Sequence, residues 1–218
     1  MTQKNIGILL FEDVEVLDFC GPFEVFSVTR LNEQKRREES SPFNVFLVAE
    51  TKDPVVTTGG MRVLPDFDFG DCPVLDVLVV PGGWGTRQEM NNETLVRWIA
   101  DRSTEVKTLA SVCTGALLLG KAGLLDRRRA TTHWQALGLL RELFPEVTVE
   151  DRLRVVEQGA LITSAGIAAG IDMAFRVVSR YFGEDIARAT ARYMEYPFPD
   201  PSSEVRSSIT ETAETRRR

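Results

Sequence analysis

One cysteine sits where a sequence can make it reactive. The run Ala110-Ser111-Val112-Cys113-Thr114-Gly115 reads as an apolar strand, Leu109–Val112, that turns directly into a helix. Gly115 permits the tight strand-to-helix approach that a larger residue would obstruct. Such an elbow lifts Cys113 off the sheet and sets it at a helix N-terminus. There the free amides and the helix dipole favour the thiolate, the nucleophilic form of cysteine. A buried apolar cysteine is the plain alternative, and the glycine-bearing turn weighs against it. Cys20 and Cys72 lack such a setting and read as structural.

Asp18, in Leu17-Asp18-Phe19-Cys20-Gly21-Pro22, is an acid among apolar neighbours, costly to bury unless paired or protonated. Beside Cys113 it would acquire a raised pKa from burial and from the thiolate, and the pair would share one transferable proton. A helix N-cap just ahead of Gly-Pro is an equal reading. Pro81-Gly82-Gly83-Trp84-Gly85 closes a buried strand, and Gly83 reads either as an amide donor to a developing anion or as a tight turn. The GxGxxG and GxxxxGK[ST] spacings of nucleotide sites are missing there. His133, the single histidine, reads as a general base for Cys113 or as a hydrogen-bonded pocket wall. The small-residue run Thr163–Asp172 reads best as close helix–sheet packing.

These residues must be positioned by strands alternating with helices. Strands are expected at Asn5–Phe11, Phe43–Ala49, Val77–Val80, Thr108–Val112, Ala130–Thr132 and Leu161–Ser164. Helices are expected at Phe19–Arg30, Glu93–Asp101, Gly115–Ala122, His133–Leu143 and Ala168–Tyr181. Val55–Thr57 with Met61–Leu64 forms a hairpin through Gly59-Gly60, and Val147–Val149 with Val155–Glu157 forms a second. The alternation implies an α/β fold with a mostly parallel sheet covered on both faces, and functional residues at the carboxyl ends of its strands. Asp18, Gly82-Gly83, Cys113 and His133 all fall there. Glu33–Glu39 reads as a solvated helix end or loop, and residues 198–218 as a frayed tail whose terminal arginines are solvated.

Composition sets the outer bounds. A chain of 218 residues with 43% hydrophobic and 27% charged residues is an ordinary globular protein, best read as one domain over 1–197. The 26 basic and 32 acidic residues give a net charge of −6, which argues against nucleic acid or an anionic membrane as partner. No apolar run approaches membrane-spanning length. The first ten residues lack a signal-peptide layout, so a cytoplasmic location is expected. The three cysteines have neither disulfide-framework nor zinc-ligand spacing.

Taken in order, LDFCGPFEVF, VVPGGWG, SVCTGALLLGKAGLL, ATTHW and TSAGIAAGID resemble the DJ-1/PfpI superfamily, and most closely its isocyanide (isonitrile) hydratase branch. The resemblance covers Asn5 to Pro197. It implies a flavodoxin-like three-layer α/β/α sandwich, related to class I glutamine amidotransferases and usually homodimeric, acting on a small molecule with no metal or organic cofactor. It also implies Cys113 as nucleophile, Asp18 as its carboxylate partner, Thr114 as the residue orienting Asp18 or water, and the Gly83 and Thr114 amides as an oxyanion-type pocket. Trp84, His133 and Trp134 would shape the pocket. The reaction implied is hydration of an isocyanide to an N-substituted formamide through a thioimidate on Cys113. The same branch contains ligand-sensing domains of AraC-type regulators, and other branches contain cofactor-independent glyoxalases, so sensing and glyoxalase chemistry stand as alternatives. The sequence ends at Arg218 without a helix-turn-helix segment, which favours the enzyme. A Cys-His-Glu amidase is disfavoured, because Ser164-Ala165-Gly166 stands where amidotransferases carry His-x-Glu.

Overall fold

Val77–Val80, Thr108–Val112 and Leu161–Ser164 are buried along their whole length, so each has to be covered from both faces. The computed structural model, which describes residues 2–199, supplies that cover. Its elements in chain order are β1 (Lys4–Leu9), α1 (Val16–Val28), β2 (Phe43–Ala49), β3 (Val55–Val56), β4 (Arg62–Val63), β5 (Phe67–Asp68), β6 (Val77–Val80), α2 (Thr86–Glu89) and α3 (Glu93–Ser103). There follow β7 (Thr108–Val112), α4 (Gly115–Lys121), β8 (Arg129–Ala130), α5 (Leu137–Leu143), β9 (Thr148–Val149), β10 (Val155–Gln158), β11 (Leu161–Ser164), α6 (Ala169–Phe182) and α7 (Glu184–Tyr193). Short 3-10 turns lie at Glu33–Lys35 and Trp134–Ala136.

Seven strands form the main sheet in the order β10-β11-β7-β6-β1-β2-β5, parallel throughout except for the β10–β11 pair. The register aligns Leu47, Ile8, Val79, Ala110 and Ile162 in one row across its centre. α1, α6 and α7 pack together on one side, and α3, α4 and α5 cluster on the other. The result is a flavodoxin-like three-layer α/β/α sandwich. From β1 the chain passes to β2 on one side and then returns to β6 on the other, so the strand order reverses between β1 and β6. A crevice at the carboxyl ends follows from that reversal. The segments after β1, β6, β7 and β11 all emerge into it.

Several expectations change. α1 begins at Val16, one turn before the expected Phe19, so Asp18 lies in its first turn rather than in a loop. The N-cap is Glu15, which makes no side-chain capping bond, so Asp18 is not the cap. Pro22, inside this helix, lacks the N–H that would return to the Asp18 carbonyl. The hairpin through Gly59-Gly60 forms as β3–β4. The second expected hairpin does not. Thr148–Val149 pairs in parallel with Arg129–Ala130, while Val155–Gln158 folds back on Leu161–Ser164 across Ala160 and Gly159. The expected strand Ala130–Thr132 is therefore confined to β8, outside the main sheet, and the expected helix His133–Leu143 divides into a 3-10 turn and α5. Phe198 packs with its ring 6.0 Å from Phe175, and the rest of the expected tail, 200–218, lies outside the described residues. Among the described residues no helix is long and apolar enough to cross a membrane.

Candidate active site

Cys113 follows the last residue of β7 and adopts φ 56°, in the left-handed region. A non-glycine residue there costs on the order of 1 kcal/mol or more and persists only where its surroundings insist. They do so here from both sides of the residue. The Cys113 N–H donates to the carbonyls of Ser164 and Ala165, each at 3.2 Å, beyond the end of β11. Its carbonyl accepts the Thr132 hydroxyl at 2.7 Å. Gly115 plays the part expected of it, since a β-carbon there would run into the Val80 carbonyl.

Asp18 reaches this elbow from α1 and has no exposed surface. Its Oδ2 accepts the Gly82 N–H at 2.9 Å, and Oδ1 has no hydrogen-bond partner among the described residues. The Cys113 side chain lies within interaction range of this carboxyl. Burial pushes the Asp18 carboxyl up to about 8, with the nearby Glu15 carboxylate adding to the rise and the Gly82 amide opposing it. Burial also pushes the Cys113 thiol up to about 12, and the Asp18 carboxylate contributes. The Thr114 and Ile167 amides and the Thr114 hydroxyl pull the thiol down, but by less. The helix-end amides expected to favour the thiolate are present, and burial opposes them. Burial thus favours the protonated form of both the thiol and the carboxyl, and chemistry there requires the thiol proton to move.

The expected oxyanion donors are rearranged too. The Gly83 N–H already donates to the Thr114 hydroxyl at 3.0 Å, and that hydroxyl lies 3.1 Å from the Gly83 carbonyl, to which it donates in turn. The Gly83 N–H is therefore engaged in this arrangement, and the Thr114 hydroxyl ties the Gly83 loop. The amides that act on the Cys113 sulfur are those of Thr114 and Ile167. Ile167 lies in the turn before α6, at φ 43°. Its part in the site has no signature in the sequence, because a backbone amide belongs to any residue. The run Thr163–Asp172, expected only to pack a helix, supplies this wall of the site.

A cavity of about 170 Å³ opens over Cys113, lined also by Glu15, Gly83, Trp84, Arg87, Thr114, His133, Gln135 and Ile167. Pockets for drug-sized ligands begin near ~300 Å³, so this one suits a small molecule. The His133 Nδ1 accepts the Gln135 N–H at 3.3 Å. Its basic nitrogen is occupied, so the pocket-wall reading of His133 is the one the geometry supports. Gly166 abuts the ring closely enough that a β-carbon would collide with it. Trp84 lines the cavity as expected. Trp134 does not: it stands outside, its ring 5.8 Å from that of His133. Glu15, Arg87 and Gln135 are members that no motif announced. Among the described residues no group of three or more His, Cys, Asp or Glu is placed to hold a metal.

Comparison with known proteins places this geometry. Residues 4–180 match the model of the DJ-1/PfpI family. The chain is 38% identical over 233 aligned positions to the isonitrile hydratase of Pseudomonas putida, covering 96% of each. It is 30% identical over 193 positions to the HTH-type transcriptional regulator GbdR of Pseudomonas aeruginosa, covering 88% of this chain and 51% of the regulator. Among solved structures, a ThiJ/PfpI family protein from Pseudomonas syringae superposes with a TM-score of 0.81 at 30% identity, covering 99% of this chain and 86% of that one. The chain belongs to the DJ-1/PfpI family, in its isonitrile hydratase-like branch.

Proposed function

We propose that this protein hydrates isocyanides to N-substituted formamides, with Cys113 as nucleophile and Asp18 as proton carrier. The observation that carries the reading is the fully buried Asp18, whose carboxyl lies within range of the Cys113 thiol and whose Oδ1 has no hydrogen-bond partner among the described residues. Similarity to an isonitrile hydratase over nearly the whole chain supports it.

The terminal carbon of an isocyanide accepts both a nucleophile and a proton. The sulfur electron pair forms the S–C bond, and Asp18 takes the thiol proton on one oxygen while delivering its own to the carbon. The product is a thioimidate, in which nitrogen is double-bonded to a CH carrying sulfur. Water then adds to that carbon, one of its protons passing through Asp18 to nitrogen. Collapse of the tetrahedral adduct forms the formamide C=O and expels sulfur, which recovers its proton. The sum is isocyanide plus water giving formamide. The Thr114 and Ile167 amides stabilise negative charge on sulfur at both ends of the sequence. We place this activity in a single domain spanning 1–197, working as a homodimer in the cytoplasm, where three free thiols persist.

The test is formamide production from a simple alkyl or aryl isocyanide. Cys113→Ala is expected to lose turnover by more than ~10³-fold while keeping its Tm, and Cys72→Ala to retain it. Turnover surviving in Cys113→Ala overturns the mechanism. The similarity to GbdR favours a second reading, a ligand-sensing domain. That reading requires a small molecule to bind without being converted, as calorimetry alongside product analysis would show.

A further inference from the structure

Arg87 lines the same cavity as Cys113, on the short helix that follows the Gly83-Trp84-Gly85 loop. Its guanidinium lies 4.5 Å from the centre of the Trp84 ring, and one N–H donates to the Gly83 carbonyl at 3.5 Å. Among the described residues none of its contacts is to a carboxylate. A guanidinium resting over an aromatic ring, with donors left over, is a fork available to an anion.

The second charge on the cavity wall is Glu15. It acts on the Asp18 carboxyl. The cavity wall thus carries one acidic and one basic side chain, and the acidic one acts on the proton carrier. An isocyanide group is linear and uncharged and has little by which it can be oriented. Its direction in the pocket has to come from the substituent on nitrogen.

We infer that Arg87 selects isocyanides whose N-substituent carries a carboxylate, and turns them so that the terminal carbon meets Cys113. This rests on the hydratase reading. Attraction to Arg87 holds the carboxylate end of such a substrate, and the small cavity restricts the substituent to a short one.

The comparison that tests it is isocyanoacetate against its neutral methyl ester, in wild type and Arg87→Gln. Wild type is expected to favour the acid by ~10-fold or more in kcat/KM, and to do so less at high salt. In Arg87→Gln that ratio should fall to near one, through a rise in KM for the acid. Equal efficiency on acid and ester in wild type overturns the inference, as does a variant that loses both substrates equally. A second readout is independent of turnover: alkylation of Cys113 by iodoacetate relative to iodoacetamide, followed by peptide mass mapping. The iodoacetate-to-iodoacetamide ratio should drop ~5-fold or more in Arg87→Gln. An unchanged ratio overturns anion selection even in an active hydratase. A dropping ratio in a protein that hydrates neither isocyanide upholds anion selection and rejects the hydratase reading.

Discussion

The floor of the cavity and its rim are built on opposite principles. On the floor, Thr114 and Cys113 are only 4% and 6% exposed, and Asp18 and Thr132, which support Cys113 from behind the lining, have no exposed surface. Their polar atoms are committed to particular partners, apart from the oxygen Asp18 keeps beside the thiol. At the rim, Trp84 is 65% exposed, and Arg87 is held mainly by its face. The floor fixes one geometry for any substrate, while the rim can distinguish one substrate from another. Burial alone does not make a floor, as Cys72 shows. It is 8% exposed and its thiol is likewise raised by burial. Yet its sulfur merely meets the Pro73 carbonyl at 3.5 Å, with no left-handed backbone and no buried acid opposite.

Substitutions on the floor should depress every substrate, and those at the rim should change preferences. The largest effect after loss of Cys113 itself is expected from Asp18→Asn. It removes the proton carrier and should cut turnover by ~10²-fold or more. Its stability should move the other way. The wild-type carboxyl titrates near 8 when folded and near 3.8 when unfolded, so the folded state retains a proton that the unfolded state has lost across that interval. Wild-type stability therefore falls as pH rises from about 4 to about 8, and Asp18→Asn escapes the fall. Its Tm should exceed that of wild type by ~5 °C or more at pH 9, and match it near pH 3. A Tm gap that does not change with pH would break the account.

Thr132→Val comes next. The hydroxyl supports the Cys113 carbonyl without touching substrate, so its loss should lower kcat ~10-fold for acid and ester alike at unchanged KM, and Thr132→Ser should recover most of it. A rise in KM instead would assign Thr132 to the wrong part of the cavity. The smallest effect is expected from Trp84→Ala, which frees the Arg87 guanidinium. The acid-over-ester preference should shrink ~2–3-fold, with kcat for the ester little altered. A large fall in kcat would make Trp84 part of the floor.

Much of the floor was legible in the sequence because it is announced by residue type. An apolar strand ending abruptly in Cys-Thr-Gly has few structural solutions, and an acid enclosed by Leu17 and Phe19 demands a partner. The strands β6, β7 and β11 were legible because two-sided burial writes an unbroken apolar run. The rest failed for definite reasons. The Ile167 amide and the occupancy of the Gly83 amide are backbone facts with no side-chain signature. The pairing of β9 with β8 joins segments nearly twenty positions apart, and periodicity cannot choose between that partner and a nearby one. α7 was missed because its buried contacts are largely small, Ala187, Thr190 and Ala191, set among charged residues. Arg87 and Glu15 look like ordinary surface charges until the fold brings their loops to one opening.

The topology has a consequence at the borders of the sheet. Unpaired edge strands invite addition of a foreign strand, a common route to aggregation. At one border, β10 is four residues long, and its Glu157 is engaged by Arg180 at 2.9 Å and Arg176 at 3.8 Å. At the other, only Val48 and Ala49 of β2 pair with β5, and just before them the Asp66 carboxylate accepts the Leu47 N–H at 2.8 Å. An incoming strand would meet an engaged charge on either side. Growth by sheet extension is therefore discouraged at both borders.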